Sequence, residues 1–182
     1  MLLFYFQVLT TAFKEHFDLE KILGIDVDSN LIDAAKEKFK CKGIDFQQCD
    51  FIQNMSMAEN YLEHLGVDKF DVIFVFSVSM WIHLNYGESG LQRLFENCQR
   101  LTKSEGLLVL EPQPWKCYMT AARRMRKLNQ PKFEHLESIS HRQDKLLPHI
   151  IKTCETAGFK LVCTLGETHW KRPIYLFKLV NK

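Results

Sequence analysis

The sequence predicts an α/β fold: an open, mostly parallel sheet with an antiparallel C-terminal edge. Three observations carry this. Strand-like and helix-like segments alternate as βαβαβαβ, followed by a helix and two strands. The stretch FDVIFVFS, Phe70 to Ser77, has an apolar run without strict alternation, as expected of a parallel strand covered on both faces. Four of the strands end in a polar residue, Asp26, Asp50, Ser77 and Glu111, and the topology gathers these at one edge of the sheet.

The elements follow in order. KILGIDVD ends an apolar strand running from Leu19 to Asp26, and Ser29 caps a helix through Phe39 that buries Leu31, Ile32, Ala35 and Phe39. A second strand spans Ile44 to Cys49. A helix around Met57 to Leu65 leads into Phe70 to Ser77, and SVSMWIHLN reads as the loop leaving that strand. Gly90 to Leu101 is helical, Gly106 to Leu110 is a strand, and Lys145 to Ala157 is helical again. Phe159 to Thr164 and Ile174 to Leu179 form a hairpin-like pair at the sheet edge. No repeat or low-complexity linker divides the chain, so residues 1–182 read as a single domain.

Composition narrows the class. With 46% hydrophobic and 25% charged residues, the chain is a soluble domain with a substantial core. A net charge of +2 is too small to argue for a polyanion partner, so any such argument rests on where the charges sit. The six cysteines form no CxxC pair, which signals no zinc knuckle or other metal site and points to reduced thiols in the cytoplasm or nucleus. MLLFYF is too short to span a bilayer and makes a poor secretory signal, so no membrane partner is expected.

An acidic side chain just past a parallel strand can accept both hydroxyls of a ribose, and one on the next strand can accept an adenine amino group. Asp26 and Asp50 stand in those positions. Either alone is an ordinary turn cap; together they point to a nucleoside cofactor. Their spacing leaves NAD, ATP and S-adenosylmethionine open, although neither a P-loop nor a GxGxxG motif is present.

Longer motifs are more specific. MWIHLNYGESGLQRLF (Met80 to Phe95), LVLEPQPWKCY (Leu108 to Tyr118), AARRMRKL (Ala121 to Leu128) and RPIYLFK (Arg172 to Lys178) resemble the Bin3 family of S-adenosylmethionine-dependent RNA 5′-phosphate methyltransferases. The resemblance runs from about Gln7 to the C-terminus. It implies a Rossmann-like methyltransferase fold and O-methylation of a 5′-monophosphate RNA end, such as that of a tRNA or a small-RNA precursor. It also implies that Asp26 holds the cofactor ribose, that Asp50 and Phe51 border the adenine, and that Ser77, Val78 and Trp81 run under the methionine part. Glu111 would orient a loop or meet the cofactor's ammonium group, because a carboxylate repels phosphate. His83 and Asn85, from the loop after the strand, and Tyr118 would hold the RNA phosphate, with Trp115 offering an aromatic face.

The charge distribution supports an RNA path. Between Pro112 and Phe133 there is no acidic residue, whereas Lys116, Arg123, Arg124, Arg126, Lys127 and Lys132 all fall there. Arg123 and Lys127 share a helical face, with Arg124 near it, suited to tracking phosphates; a solvated basic face is the plainer reading. No RNP motif, GxxG clamp or zinc knuckle suggests base reading, so RNA rather than DNA is expected as partner, met by a monomer.

The departure from the family pattern is N-terminal. QVLTTAFKEHF resembles the helix after the family's glycine-bearing cofactor loop, but MLLFYF stands where the strand and loop are expected, and the first glycine is Gly24. Glycine permits close backbone approach that leucine and phenylalanine do not. The expectation is therefore an N-terminally truncated version of the fold with the first strand and glycine loop absent or replaced. The alternative function is a catalytically impaired homologue that binds RNA or another partner.

Overall fold

The computed structural model describes residues 2–4, 19–39 and 43–180. Within them the chain runs β1 (Leu2–Phe4), β2 (Ile22–Asp26), α1 (Ser29–Lys38), β3 (Ile44–Gln48), α2 (Ser56–Leu65), β4 (Phe70–Phe76) and α3 (Ser79–Leu101). It continues through β5 (Thr102–Glu111), α4 (Trp115–Lys127), a 3-10 turn at Gln143–Lys145, α5 (Leu146–Thr156), β6 (Phe159–Glu167) and β7 (Pro173–Leu179). The described strands make one sheet in the order β3-β2-β1-β4-β5-β7-β6. Pairing is parallel from β3 to β5, then antiparallel for β5 with β7 and for β7 with β6.

The short β1 lies at the centre, with Leu2 opposite both Leu23 and Ile73. Chain order runs outward from it in both directions, which makes this the switch point past which a ligand crevice opens. The glycine-loop position, the segment QVLTTAFKEHF and Cys41 lie outside the described residues.

Side chains alternate between the two faces of the sheet, as the strand period of two requires. Leu23, Ile25, Ile73, Val75, Leu108 and Leu110 join the larger core with Tyr61, Leu62, Leu91, Phe95 and Ile150 from α2, α3 and α5. Ile22, Ile44, Phe46, Phe76 and Val109 face the other way, against Ile32 and Ala35 of α1.

Local details correct the sequence reading in three places. Asp28, not Ser29, caps α1, its side chain accepting from the Asn30 amide at 2.9 Å. β5 begins at Thr102 rather than Gly106, with a register irregularity opposite Phe70 and Val72. SVSMWIHLN is not a loop: from Ser79 it is the first part of α3. The helical period is hidden there by a kink at Gly87, whose φ of 67° and ψ of −163° belong to a region essentially restricted to glycine. A Cβ at this position would also stand 3.0 Å from Nδ1 of His135.

Candidate active site

A cavity of about 470 Å³ opens where β2 and β3 end and α3 begins. Its walls include Asp26, Asp50, Phe51, Val78, Trp81 and Asn85, so six of the expected site residues meet there, joined by Ile25, Ile52, Ile82 and Tyr86. A larger depression of about 600 Å³ runs along α1 and β3, but it contains neither Asp26 nor Asp50.

Each wall is fixed by identifiable bonds. The Asp26 carbonyl accepts from the Cys49 amide at 2.8 Å, which ties the ends of β2 and β3 together. Its carboxylate Oδ1 accepts from the Asp28 amide at 2.8 Å. Burial raises the Asp26 carboxyl above its ordinary range although that amide pulls the other way. Asp50 is more committed: Oδ1 accepts from the Ile52 and Gln53 amides at 3.1 and 3.0 Å, and Oδ2 accepts from the Tyr86 hydroxyl at 2.6 Å. A carboxylate offers about four lone-pair sites, so one remains on Oδ2 for an amino group. The bond to Asp50, with burial second, holds the Tyr86 phenol above its ordinary pKa and keeps it a donor.

Phe51 is buried, and its carbonyl accepts from Asn97 of α3 at 2.6 Å. Trp81 is 43% exposed at the rim, its ring centroid 6.0 Å from that of Phe133. Asn85 donates to the Trp81 carbonyl at 2.8 Å, one helical turn back. The start of α3 is held from outside the helix by Gln113, the residue between the two prolines. Its buried Oε1 accepts from the Met80 amide at 3.3 Å, satisfying one of the donors a helix start leaves open.

Other expected residues lie elsewhere. Ser77 and Glu111 do not line the cavity. The Ser77 hydroxyl donates to Glu111 Oε2 at 2.6 Å, and Arg172 Nη1 donates to Ser77 Oγ at 2.8 Å and to Glu111 Oε1 at 3.1 Å. The Glu111 carboxylate is thus paired with Arg172 and ties the ends of β4 and β5 together through Ser77, in keeping with the loop-orienting half of the expectation.

His83 and Tyr118 are fully buried, with His83 Nδ1 3.2 Å from the Tyr118 hydroxyl. Burial lowers the His83 pKa and raises that of Tyr118, so both are neutral. Both are covered by protein, where the sequence reading expected them to face an RNA phosphate. Trp115 stacks on Tyr118 with centroids 5.4 Å apart and lies under the Arg142 guanidinium at 5.5 Å, so its ring is already engaged. Lys116, Arg123, Arg124 and Lys127 are exposed on α4. The last two sit in its final turn, where positive charge also complements the helix dipole.

Sequence reasoning missed Tyr86, Gln113 and Arg172. Tyr86 and Arg172 belonged to the quoted motifs without a role, and their partners lie 36 and up to 95 residues away.

The sheet order, the antiparallel final strand and the cavity past β2 and β3 define a Rossmann-like fold of the S-adenosylmethionine-dependent methyltransferase class. The N-methyltransferase NodS of Bradyrhizobium japonicum WM9 shares it, with a TM-score of 0.62 at 14% identity over 99% of this chain and 85% of that one. A general methyltransferase-domain family model matches residues 8–108. The chain belongs to the Bin3 family, whose model, described as Bicoid-interacting protein 3, matches residues 70–179. It is similar to the RNA 5′-monophosphate methyltransferase of Bos taurus, 35% identical over 86% of this chain and 54% of that protein. The pre-miRNA 5′-monophosphate methyltransferase of Xenopus laevis is 38% identical over 86% of this chain and 62% of its own length. The chain therefore spans little more than half the length of these relatives.

Proposed function

We propose that this protein transfers a methyl group from S-adenosylmethionine to the 5′-monophosphate end of a small RNA, such as a tRNA or a small-RNA precursor. The observation that carries the reading is the convergence of Asp26, Asp50 and the apolar side chains of Phe51, Ile52 and Ile82 on one cavity. That combination suits a ribose and an adenine ring, and the relatives' activities supply the acceptor. The cofactor, when bound, supplies an activated methyl on sulfur. A phosphate oxygen is already anionic, so the protein need only align it with that methyl and exclude water. Asn85 lines the cavity and is exposed, which suits that alignment, with Trp81 beside it on the cofactor side, and Arg123 and Lys127 follow on the exposed face of α4.

The test is transfer of labelled methyl from S-adenosylmethionine to matched RNAs bearing 5′-monophosphate or 5′-hydroxyl ends. Label on the monophosphate RNA alone is expected. RNA binding by a folded chain that binds no S-adenosylhomocysteine would instead establish a non-catalytic RNA-binding homologue.

The basic helix carries its own prediction. Replacing Arg123 and Lys127 together with glutamine is expected to weaken RNA binding and to reduce the slope of log affinity against log salt by about 1.5 to 2. An unchanged slope in a titration at several salt concentrations removes them from the RNA path.

A further inference from the structure

The kink at Gly87 turns Glu88 toward the segment between α4 and α5, where histidines collect. We propose that Glu88, His141 and His149, joined by His83, form a binding site for a divalent first-row transition ion such as zinc. One ligand atom from each of Glu88, His141 and His149 lies within 4.8 Å of the other two. His149 Nε2 is 2.6 Å from Glu88 Oε2, so the proton they share occupies the place an ion would take. His83 supplies the independent observation. Its ring is fully buried, its Nε2 has no hydrogen-bond partner, and that atom stands 3.4 Å from the same Glu88 oxygen. Donors around a tetrahedral zinc, each about 2.0–2.2 Å from the metal, are separated by roughly 3.3 Å.

The surroundings have the form of an outer coordination shell. The Ser140 hydroxyl is 2.8 Å from Glu88 Oε1 and 2.8 Å from His141 Nδ1, and the Ser140 amide donates to Glu88 Oε1 at 3.2 Å. His83 Nδ1 meets the Tyr118 hydroxyl, leaving Nε2 for the ion. The His141 and His149 rings are stacked at 4.1 Å and 7°. An imidazole ligand holds its metal in the ring plane, so binding turns the exposed His141 ring out of this stack.

Imidazole and carboxylate donors without thiolate select zinc and its neighbours over calcium or magnesium. The ion would join α3 to the segment that sets Phe133 against Trp81 and Arg142 over Trp115. It is thus a structural clamp beside the cavity, and it stands independently of the methyl-transfer reading.

The experiment titrates the chelator-treated full chain, carrying Cys163→Ser to remove an exposed thiol, with zinc against a chromophoric competitor and with cobalt followed by visible absorption. One equivalent bound, cobalt d–d bands without thiolate charge transfer, and a zinc-dependent rise in the melting temperature are expected. His141→Ala changes an exposed side chain, so the fold is not at risk; it is expected to weaken zinc binding at least about tenfold, and His149→Gln about a hundredfold. Binding well below one equivalent, or affinity unchanged by both substitutions, overturns the proposal.

Discussion

Replacing Asp26 with alanine is expected to weaken S-adenosylhomocysteine binding by roughly 30- to 700-fold, from loss of about 2–4 kcal/mol in hydrogen bonds to a charged acceptor. The reason is positional. Asp26 ends β2 at the cavity wall, and its carbonyl holds the end of β3, so its carboxylate cannot be replaced by a neighbour. Calorimetric titration of the wild-type and variant chains reads the loss directly. RNA affinity, measured separately, should stay within about twofold, because removing one anion from the cavity leaves the α4 cations in place. Equal losses for both ligands would show that Asp26 acts through the fold, and Asp26→Asn, which retains an acceptor for the Asp28 amide, separates that case by its melting temperature.

Arg172→Ala is expected to destabilise the protein by about 3–5 kcal/mol, because it strands the buried Glu111 carboxylate without its cation. The Glu111 side chain is 4% exposed and that of Arg172 20%, so solvent screens this pair far less than the surface pairs. The corresponding fall in melting temperature is on the order of 10 °C for a chain of this size. Adding Glu111→Gln removes the stranded charge while keeping an acceptor for Ser77, and it should recover much of the loss. Chemical denaturation of the wild type, both single variants and the double variant closes the cycle. A single variant within about 1 kcal/mol of wild type would mean that water reaches Glu111 once the guanidinium is gone.

These two residues also show how far the sequence could be read. Asp26 was legible because its message is local: a short apolar run, then an acid, at the end of a parallel strand. Asp50 was legible for the same reason, and so was the antiparallel pair β6 and β7. The quoted motifs identified the family for a related reason, being long and chemically unusual within a continuous stretch. Glu111 obeys the same strand-end rule, but its cation, Arg172, stands 61 residues later and carries no local signal. The first part of α3 was missed because Gly87 breaks the helical period that would have revealed it.

The sequence by itself determined the α/β class, the family and the acids at two strand ends, because periodicity and strand punctuation are written over a few consecutive residues. Only the tertiary structure decided which side chains are reachable. It buried His83 and Tyr118, closed Ser77 and Glu111 around Arg172, set Tyr86 on Asp50, and brought His141 and His149 to Glu88. Those outcomes depend on how helices pack across a sheet, and residues 34 to 95 positions apart carry no mark of each other until the sheet is formed.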